Sequence, residues 1–239
     1  MSMIRGLSFF GLCLAFVVIA LGAWTRLVDA GLGCPDWPGC YGFVVFPTSE
    51  ADVLLAEQRY PQFPYEIDKA IPEVVHRYFA AFLGIIAISL VVAAFKFKLS
   101  LRIKRLTSFL LFFICCQGLF GYLTVSLKLL PLIVTGHLFG GFTTLSLFFY
   151  LYLISTDKII SYQIGHLKPL AAIALVALVF QIFLGVWTST NYASLACVDF
   201  PTCNGSFLPD MDFSNGFNLF QEVGPNYLYG LLDNEARVA

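Results

Sequence analysis

Long apolar segments separated by polar loops dominate the chain. Five apolar runs occur at residues 7–27, 72–95, 106–127, 132–155 and 169–189. A run of about 20 apolar residues is long enough to cross the hydrocarbon core of a bilayer as a helix. Pro72 and Pro131 open the second and fourth runs, and proline suits the first turn of a helix. The pattern predicts an all-α integral membrane protein.

The polar segment that follows the first run occurs a second time after the fifth. "GAWTRLVDAGLGCPDWPGCYG" (22–42) and "GVWTSTNYASLACVDFPTCNG" (185–205) are identical at ten of 21 positions, without a gap, at an offset of 163. We therefore predict a four-helix transmembrane bundle, residues 1–166, followed by the first helix and cysteine loop of a second, duplicated bundle, residues 167–239. Because the offset maps His76 onto position 239, we expect the second half to be incomplete and the chain to be C-terminally truncated.

Composition and charge agree with a membrane protein and orient it. Of the 239 residues, 59% are hydrophobic and 12% charged, whereas soluble domains carry about 25% charged residues. The loop "KFKLSLRIKR" (96–105) holds five basic residues and no acid, which places it in the cytoplasm. The N-terminus and the 156–168 loop are then cytoplasmic as well. We predict a multi-pass protein of the cell inner (plasma) membrane, surrounded by lipid, with periplasmic or extracellular cysteine loops and no nucleic-acid partner.

The seven cysteines fall into two groups. Three lie inside apolar runs, where a thiol commonly serves as a small packing residue. The other four form two pairs in the outer loops, and an oxidising compartment favours the disulfides Cys34–Cys40 and Cys197–Cys203. Free or redox-active thiols and a zinc site remain alternatives, although the spacing is wider than zinc sites usually show.

Two of the three histidines lie inside predicted membrane spans. His76 is four residues after Pro72 and His137 six after Pro131, so both lie about 6–9 Å below the outer helix ends at 1.5 Å per residue. Two imidazoles at matching depth in a four-helix bundle can hold a haem iron as axial ligands. "TGHLFGG" around His137 leaves room for a porphyrin face. Two unrelated interhelical hydrogen bonds are the alternative interpretation.

Charged and small residues surround this predicted site. Glu73 shares a helix face with His76 and Arg77, where it could act as a base or electrostatic stabiliser, or simply pair with Arg77. Arg26 and Arg77 could each contact a haem propionate or extend to the interface. Each outward run ends with Gly-x-x-Thr, at Gly22, Gly121 and Gly185, a pattern typical of close helix packing.

Together, "TRLVDAGLGCPDWPGCYG", "PEVVHR", "QGLFGYLTV", "GHLFGG" and "QIFLGVWT" resemble the haem A synthase family. The resemblance implies eight helices in two four-helix halves, and oxidation of the C8 methyl of haem O to a formyl group, which supplies haem A to cytochrome oxidase. It implies that His76 and His137 are the iron ligands of the substrate haem and that Glu73 is the essential acid. It also implies that Cys34–Cys40 and Cys197–Cys203 are the outer-loop disulfides.

The resemblance further implies a haem B cofactor held by two histidines of the second half. We expect those histidines to be missing here, and the chain alone to lack sustained activity. A haem O synthase and a redox partner are candidate associates, and the oligomeric state stays open. A bis-histidine cytochrome b electron carrier and a membrane thiol–disulfide oxidase are the alternative functions. Glu73 argues against the first, and the absence of a C-x-x-C motif argues against the second.

Overall fold

A computed structural model describes residues 1–156, 165–221 and 232–239, and it confirms the predicted all-α class. No strand occurs in these ranges. The helices are α1 (Ser2–Leu27), α2 (Glu50–Arg59), α3 (Ile67–Lys96), α4 (Leu101–Ser126), α5 (Pro131–Ile154), a 3-10 turn (Gly165–Leu167), α6 (Lys168–Thr190), α7 (Phe213–Gly216) and α8 (Asn234–Val238). Five of these helices are long and apolar enough to cross a membrane: α1, α3, α4, α5 and α6.

The start of the second span differs from its prediction. Pro131 begins α5 as expected, but Pro72 lies inside α3, which starts five residues earlier at Ile67. The extra turn forms because the Glu66 carbonyl accepts hydrogen bonds from the N–H groups of Lys69 and Ala70, at 3.1 and 3.0 Å. His76 therefore lies about 13 Å from the start of its helix, not 6 Å. The predicted first-turn position of Pro72 was wrong.

The chain folds into two compact units, residues 1–126 with 137–159 and residues 127–136 with 160–239. In the first unit α3 packs against both α1 and α4. Four long helices, α1, α3, α4 and α5, contribute to the core of this unit. The α5 residues in it are Phe148 and Leu151, both fully buried. Gly11 of α1 faces the Phe148 ring, and a small residue at such a point lets two membrane helices approach closely.

The second unit is built around the end of α6. Trp187 donates its indole N–H to the Gly216 carbonyl at 2.8 Å and stacks on Phe217, which ties α7 to α6. Asn191 accepts a hydrogen bond from the Gln221 side chain at 2.8 Å. Residues 157–164, most of the predicted cytoplasmic loop, lie outside the described residues. The boundary at 166–167 stays a prediction.

Two loops, one in each unit, have the same backbone conformation: the first cysteine loop (residues 28–43) and the second cysteine loop (residues 191–206). Where α1 ends, the Ala30 N–H donates a hydrogen bond to the Thr25 carbonyl at 2.9 Å. Where α6 ends, the Ala193 N–H donates one to the Thr188 carbonyl at 3.0 Å. The sequence repeat is therefore also a repeat of local structure.

The turns at the far end of the two loops match as well. Asp36 and Asp199 each accept hydrogen bonds from the backbone N–H groups five and six residues later. Gly42 and Gly205 then take φ values of +78° and +82°, in the left-handed region that glycine adopts without strain. In the structure Cys34 is bonded to Cys40 and Cys197 to Cys203.

Candidate functional site

The two predicted iron ligands of the first unit face each other. The ring centroids of His76 (α3) and His137 (α5) are 6.5 Å apart, with the ring planes at 84°. A metal–imidazole nitrogen bond is about 2.0–2.1 Å long, so an iron held between two imidazoles places the ring centroids about 6.4 Å apart. The separation therefore fits bis-histidine ligation of a haem.

The outer nitrogens of the two rings have different surroundings. His76 Nδ1 lies 3.1 Å from the Val18 carbonyl oxygen of α1. Because a carbonyl oxygen only accepts, Nδ1 carries the proton and the Nε2 lone pair remains for a metal. His137 Nδ1 is buried and has no hydrogen-bond partner among the described residues. A buried imidazole nitrogen without a partner is costly in an apolar site.

A glycine lies beside each of the two rings. A Cβ at Gly22 of α1 would lie 3.0 Å from His76 Cε1, and one at Gly121 of α4 would lie 3.7 Å from His137 Cε1. Both glycines belong to the Gly-x-x-Thr pattern, so that pattern marks the helix faces beside the histidines. Gln117 packs against Gly140, one turn beyond His137. The roles of Gly22 and of the Val18 carbonyl were missed at the sequence level, and the repeated pattern was the available signal for Gly22.

Glu73 is joined to the first cysteine loop. Its side chain is buried, and its Oε2 accepts a hydrogen bond from the Cys34 N–H at 2.9 Å. Its Oε1 forms an ion pair with Arg77, four residues along the same helix face. Both carboxylate oxygens therefore have partners, one from the loop and one from α3. Since His76 lies one turn after Glu73, the loop, the acid and the first histidine form one connected group.

The two arginines predicted near a propionate also lie at this end of the first unit. The Arg77 guanidinium donates to the Asp36 carbonyl at 2.9 Å and to the Gly39 carbonyl, which binds the first cysteine loop to α3. Arg26 lies 3.6 Å from the Asp29 carboxylate. Arg77 therefore has a structural role that the sequence did not predict, and the propionate contacts of both residues stay predictions.

The donor set suits a haem better than a bare metal ion. Within the described ranges no group of three or more His, Cys, Asp or Glu side chains could hold a metal ion. Two axial imidazoles are sufficient for a haem, because the porphyrin supplies the other ligands of the iron.

The second pair of cysteines lies in the second unit, with Cys197 exposed and Cys203 half-buried.

Comparison with known proteins gives one consistent result. Residues 5–227 match the Cytochrome oxidase assembly protein family, COX15-CtaA. The chain is 40% identical over 230 residues to the Heme A synthase of Shewanella oneidensis, covering 95% of this chain and 69% of that protein. It is 28% identical to the Heme A synthase of Halalkalibacterium halodurans, covering 95% of this chain and 74% of that protein. No solved structure matches the chain significantly.

Proposed function

The chain belongs to the COX15-CtaA family of cytochrome oxidase assembly proteins, and we propose that it is a haem A synthase that oxidises the C8 methyl group of haem O to a formyl group. The observation that carries this proposal is the pair of facing histidines, 6.5 Å apart, beneath a loop that is bonded to a buried carboxylate. An electron carrier has use for the histidines but not for that carboxylate.

His76 and His137 would hold the iron of haem O between α3 and α5. The iron porphyrin is the substrate, and the chain's own residues fix its position. His76 is oriented by the Val18 carbonyl, and the tautomer that this bond selects leaves Nε2 for the metal. Gly22 keeps the α1 face beside the His76 ring open. The family resemblance also implies a haem B, with its own pair of histidine ligands, that receives the electrons.

Glu73 would serve as the acid–base group beside the substrate. Conversion of a methyl to a formyl group with oxygen from water is a four-electron oxidation that releases four protons. The electrons would pass to the haem B and on to its acceptor, and the protons must leave the site. A carboxylate one turn from the axial ligand can accept them. The Cys34 N–H and Arg77 fix the orientation of this carboxylate. Because Cys34 belongs to the first cysteine loop, the position of the carboxylate would depend on the conformation of that loop.

The first cysteine loop would cover the site and limit the access of water. Ala30, Cys34 and Cys40 of this loop are fully buried, and Gly33 lies against the backbone of α3 at Lys69. Excluding water from a reacting centre strengthens the electrostatic interactions there and prevents side reactions. The loop and the basic 96–105 segment adjoin opposite ends of α3, so we propose that the loop faces outward from the inner membrane.

Replacement of Glu73 by glutamine tests the enzymatic role. The complete coding sequence, with whatever it encodes beyond residue 239, is expressed in cells that make haem O, and the haems extracted from the membranes are separated by chromatography. We expect Glu73→Gln to retain bound haem O and to lower haem A formation about 100-fold or more, the usual range for loss of an acid–base group. Glu57→Gln, on the exposed side of α2, is the matched control and should form haem A normally. Undiminished haem A formation by Glu73→Gln would contradict the acid–base role of Glu73, whereas no haem A formation by the unsubstituted protein would support the electron-carrier alternative.

A further inference from the structure

The two proposed iron ligands differ in the hydrogen bonding of their Nδ1 atoms. His76 donates its Nδ1–H to the backbone of α1 at 3.1 Å, whereas His137 Nδ1 is buried without a hydrogen-bond partner in the described part of the chain. A metal-bound histidine normally donates its other N–H to a carbonyl or carboxylate, which fixes the ring and makes it a stronger ligand. Only one of the two histidines has this support.

The support of His76 depends on the absence of a side chain at Gly22. In a helix, residue 22 lies one turn after Val18 and over the same face. A Cβ at Gly22 would lie 3.0 Å from His76 Cε1 and 3.4 Å from His76 Nδ1, closer than the roughly 3.5–4.0 Å of an ordinary carbon contact. With glycine there, the imidazole can reach the Val18 carbonyl. The hydroxyl of Thr25, three residues on, lies 2.9 Å from the Leu21 carbonyl and 3.3 Å from the Pro72 carbonyl of α3, so α1 and α3 are close together beside this point.

His137 has no comparable constraint on its ring. Its neighbour Gly121 leaves a gap, since a Cβ there would lie 3.7 Å from His137 Cε1, an ordinary contact distance. Rotation of the ring breaks no hydrogen bond at Nδ1. The bond from His137 to a haem iron is therefore expected to be weaker and easier to replace than the bond from His76.

We propose that His76 is the stronger axial ligand of the bound haem, that His137 is the ligand displaced first, and that Gly22 is the positioning residue that makes them differ. This inference rests on the proposed function. Haem O has to enter the site and haem A has to leave it, so both iron–nitrogen bonds form and break in each turnover. The weaker bond is the last to form and the first to break, and the asymmetry places it on the α5 side of the site.

The two histidines are compared first. The full chain and its His76→Ala and His137→Ala variants are purified in detergent and titrated with haem, and carbon monoxide is then added to the reduced proteins. We expect His137→Ala to keep haem in a five-coordinate form, with a carbon monoxide adduct that has the same spectrum as that of the unsubstituted chain. His76→Ala should lower haem affinity at least about 10-fold further than His137→Ala does.

Gly22→Ala is compared next with Gly6→Ala, which lies on the same helix and whose Cβ would meet nothing within 4 Å. We expect Gly22→Ala to lower haem affinity about 10-fold to 100-fold and to shift the haem reduction potential to a more positive value, because His76 loses its hydrogen bond. Gly6→Ala should change neither quantity. A purely structural role of Gly22 would lower the yield of folded chain without moving the potential of the haem that binds.

The outcomes separate this inference from the proposed function. A chain that binds no haem contradicts both. A chain that binds haem but loses equal affinity in His76→Ala and His137→Ala contradicts the asymmetry alone, and so does a carbon monoxide adduct that retains the His137 bond. If Gly22→Ala binds haem with the affinity and potential of Gly6→Ala, Gly22 is not a positioning residue.

Discussion

The two cysteine loops have the same backbone but very different surroundings. Both follow the end of a long apolar helix with the same hydrogen bonds. Both contain a disulfide, and in both an aspartate accepts the hydrogen bonds that close the turn. The first is part of a buried cluster that includes Cys34, Cys40 and Tyr41. In the second, Leu195 is 85% exposed and Phe200 97% exposed. The same local structure thus occurs once inside a packed site and once on a surface of its unit.

The difference arises from α3 and not from the loops themselves. Glu73 accepts a hydrogen bond from the Cys34 N–H, and Arg77 donates hydrogen bonds to carbonyls of the same loop. Both loops offer these backbone groups, because their conformations match, but among the residues that the structure describes only the first loop has a charged helix start bound to them. The loop sequence therefore determines the backbone conformation of the loop, and α3 supplies the side chains that connect the first loop to the proposed site.

The largest expected effect is on the chemical access to the two disulfides. A buried disulfide reacts with a reductant only after the loop opens, and an opening cost of about 3 kcal/mol slows the reaction about 100-fold. We expect Cys197–Cys203 to be reduced by a water-soluble phosphine about 100-fold faster than Cys34–Cys40. Mass spectrometry after timed alkylation measures both rates in one sample. Equal rates would show that α3 does not protect the first loop.

Removal of the α3 contact should make the two loops more alike. Arg77→Met deletes the donors to the loop carbonyls and leaves the buried Glu73 carboxylate without its ion pair, a change that costs roughly 3–5 kcal/mol for a fully buried pair. We expect reduction of Cys34–Cys40 to become at least about 10-fold faster.

Two controls accompany that variant. The reduction rate of Cys197–Cys203 in the same molecules should stay constant. The double variant Arg77→Met with Glu73→Gln should recover part of the protection, because no unpaired charge remains buried. A first loop that is reduced at its original rate in Arg77→Met would contradict the role given to this arginine.

Alkaline pH should have the smallest effect, and it should affect one loop only. Burial, together with the nearby carboxylates of Glu66 and Glu73, raises the pKa of Tyr41 to about 12, against about 10 for an unfolded tyrosine. The neutral phenol donates to the Pro64 carbonyl at 2.9 Å. Its contribution to stability is therefore full below about pH 10 and is lost as the pH rises through about 12.

The second cysteine loop has Asn204 at the position of Tyr41 and carries no such titration. We expect reduction of Cys34–Cys40 to accelerate between about pH 10 and 12, beyond any change seen for Cys197–Cys203. In Tyr41→Phe that difference in pH dependence should disappear. A persistent difference in the phenylalanine variant would assign the effect to another group.

Much of this comparison could be predicted from the sequence. The five spans, the repeat at an offset of 163 and the all-α class follow from apolar run lengths and direct identity between segments. The matching depth of His76 and His137 was also predicted, although the depth was counted from the wrong helix start. Pro72 looked like a first-turn residue because proline is favoured there, but backbone hydrogen bonds to the Glu66 carbonyl start α3 five residues earlier, at Ile67.

The remaining features depend on backbone groups, which the sequence does not distinguish. The Val18 carbonyl becomes the partner of His76 only when α1 and α3 pack in this register. Besides its ion pair with Glu73, Arg77 contacts loop carbonyls, and no complementary residue type marks a carbonyl partner in the sequence. The helix α2 was missed although Ser49 and Asp52 form a capping box, a signal that was present in the sequence.

The most direct test of the central claim, a haem held by His76 and His137 beneath the first cysteine loop, is the haem content and absorption spectrum of the purified chain and its His76→Ala and His137→Ala variants. We predict one haem per chain in a six-coordinate, low-spin form, and the loss of that form in each variant. A six-coordinate spectrum that is unchanged in both variants would contradict the claim.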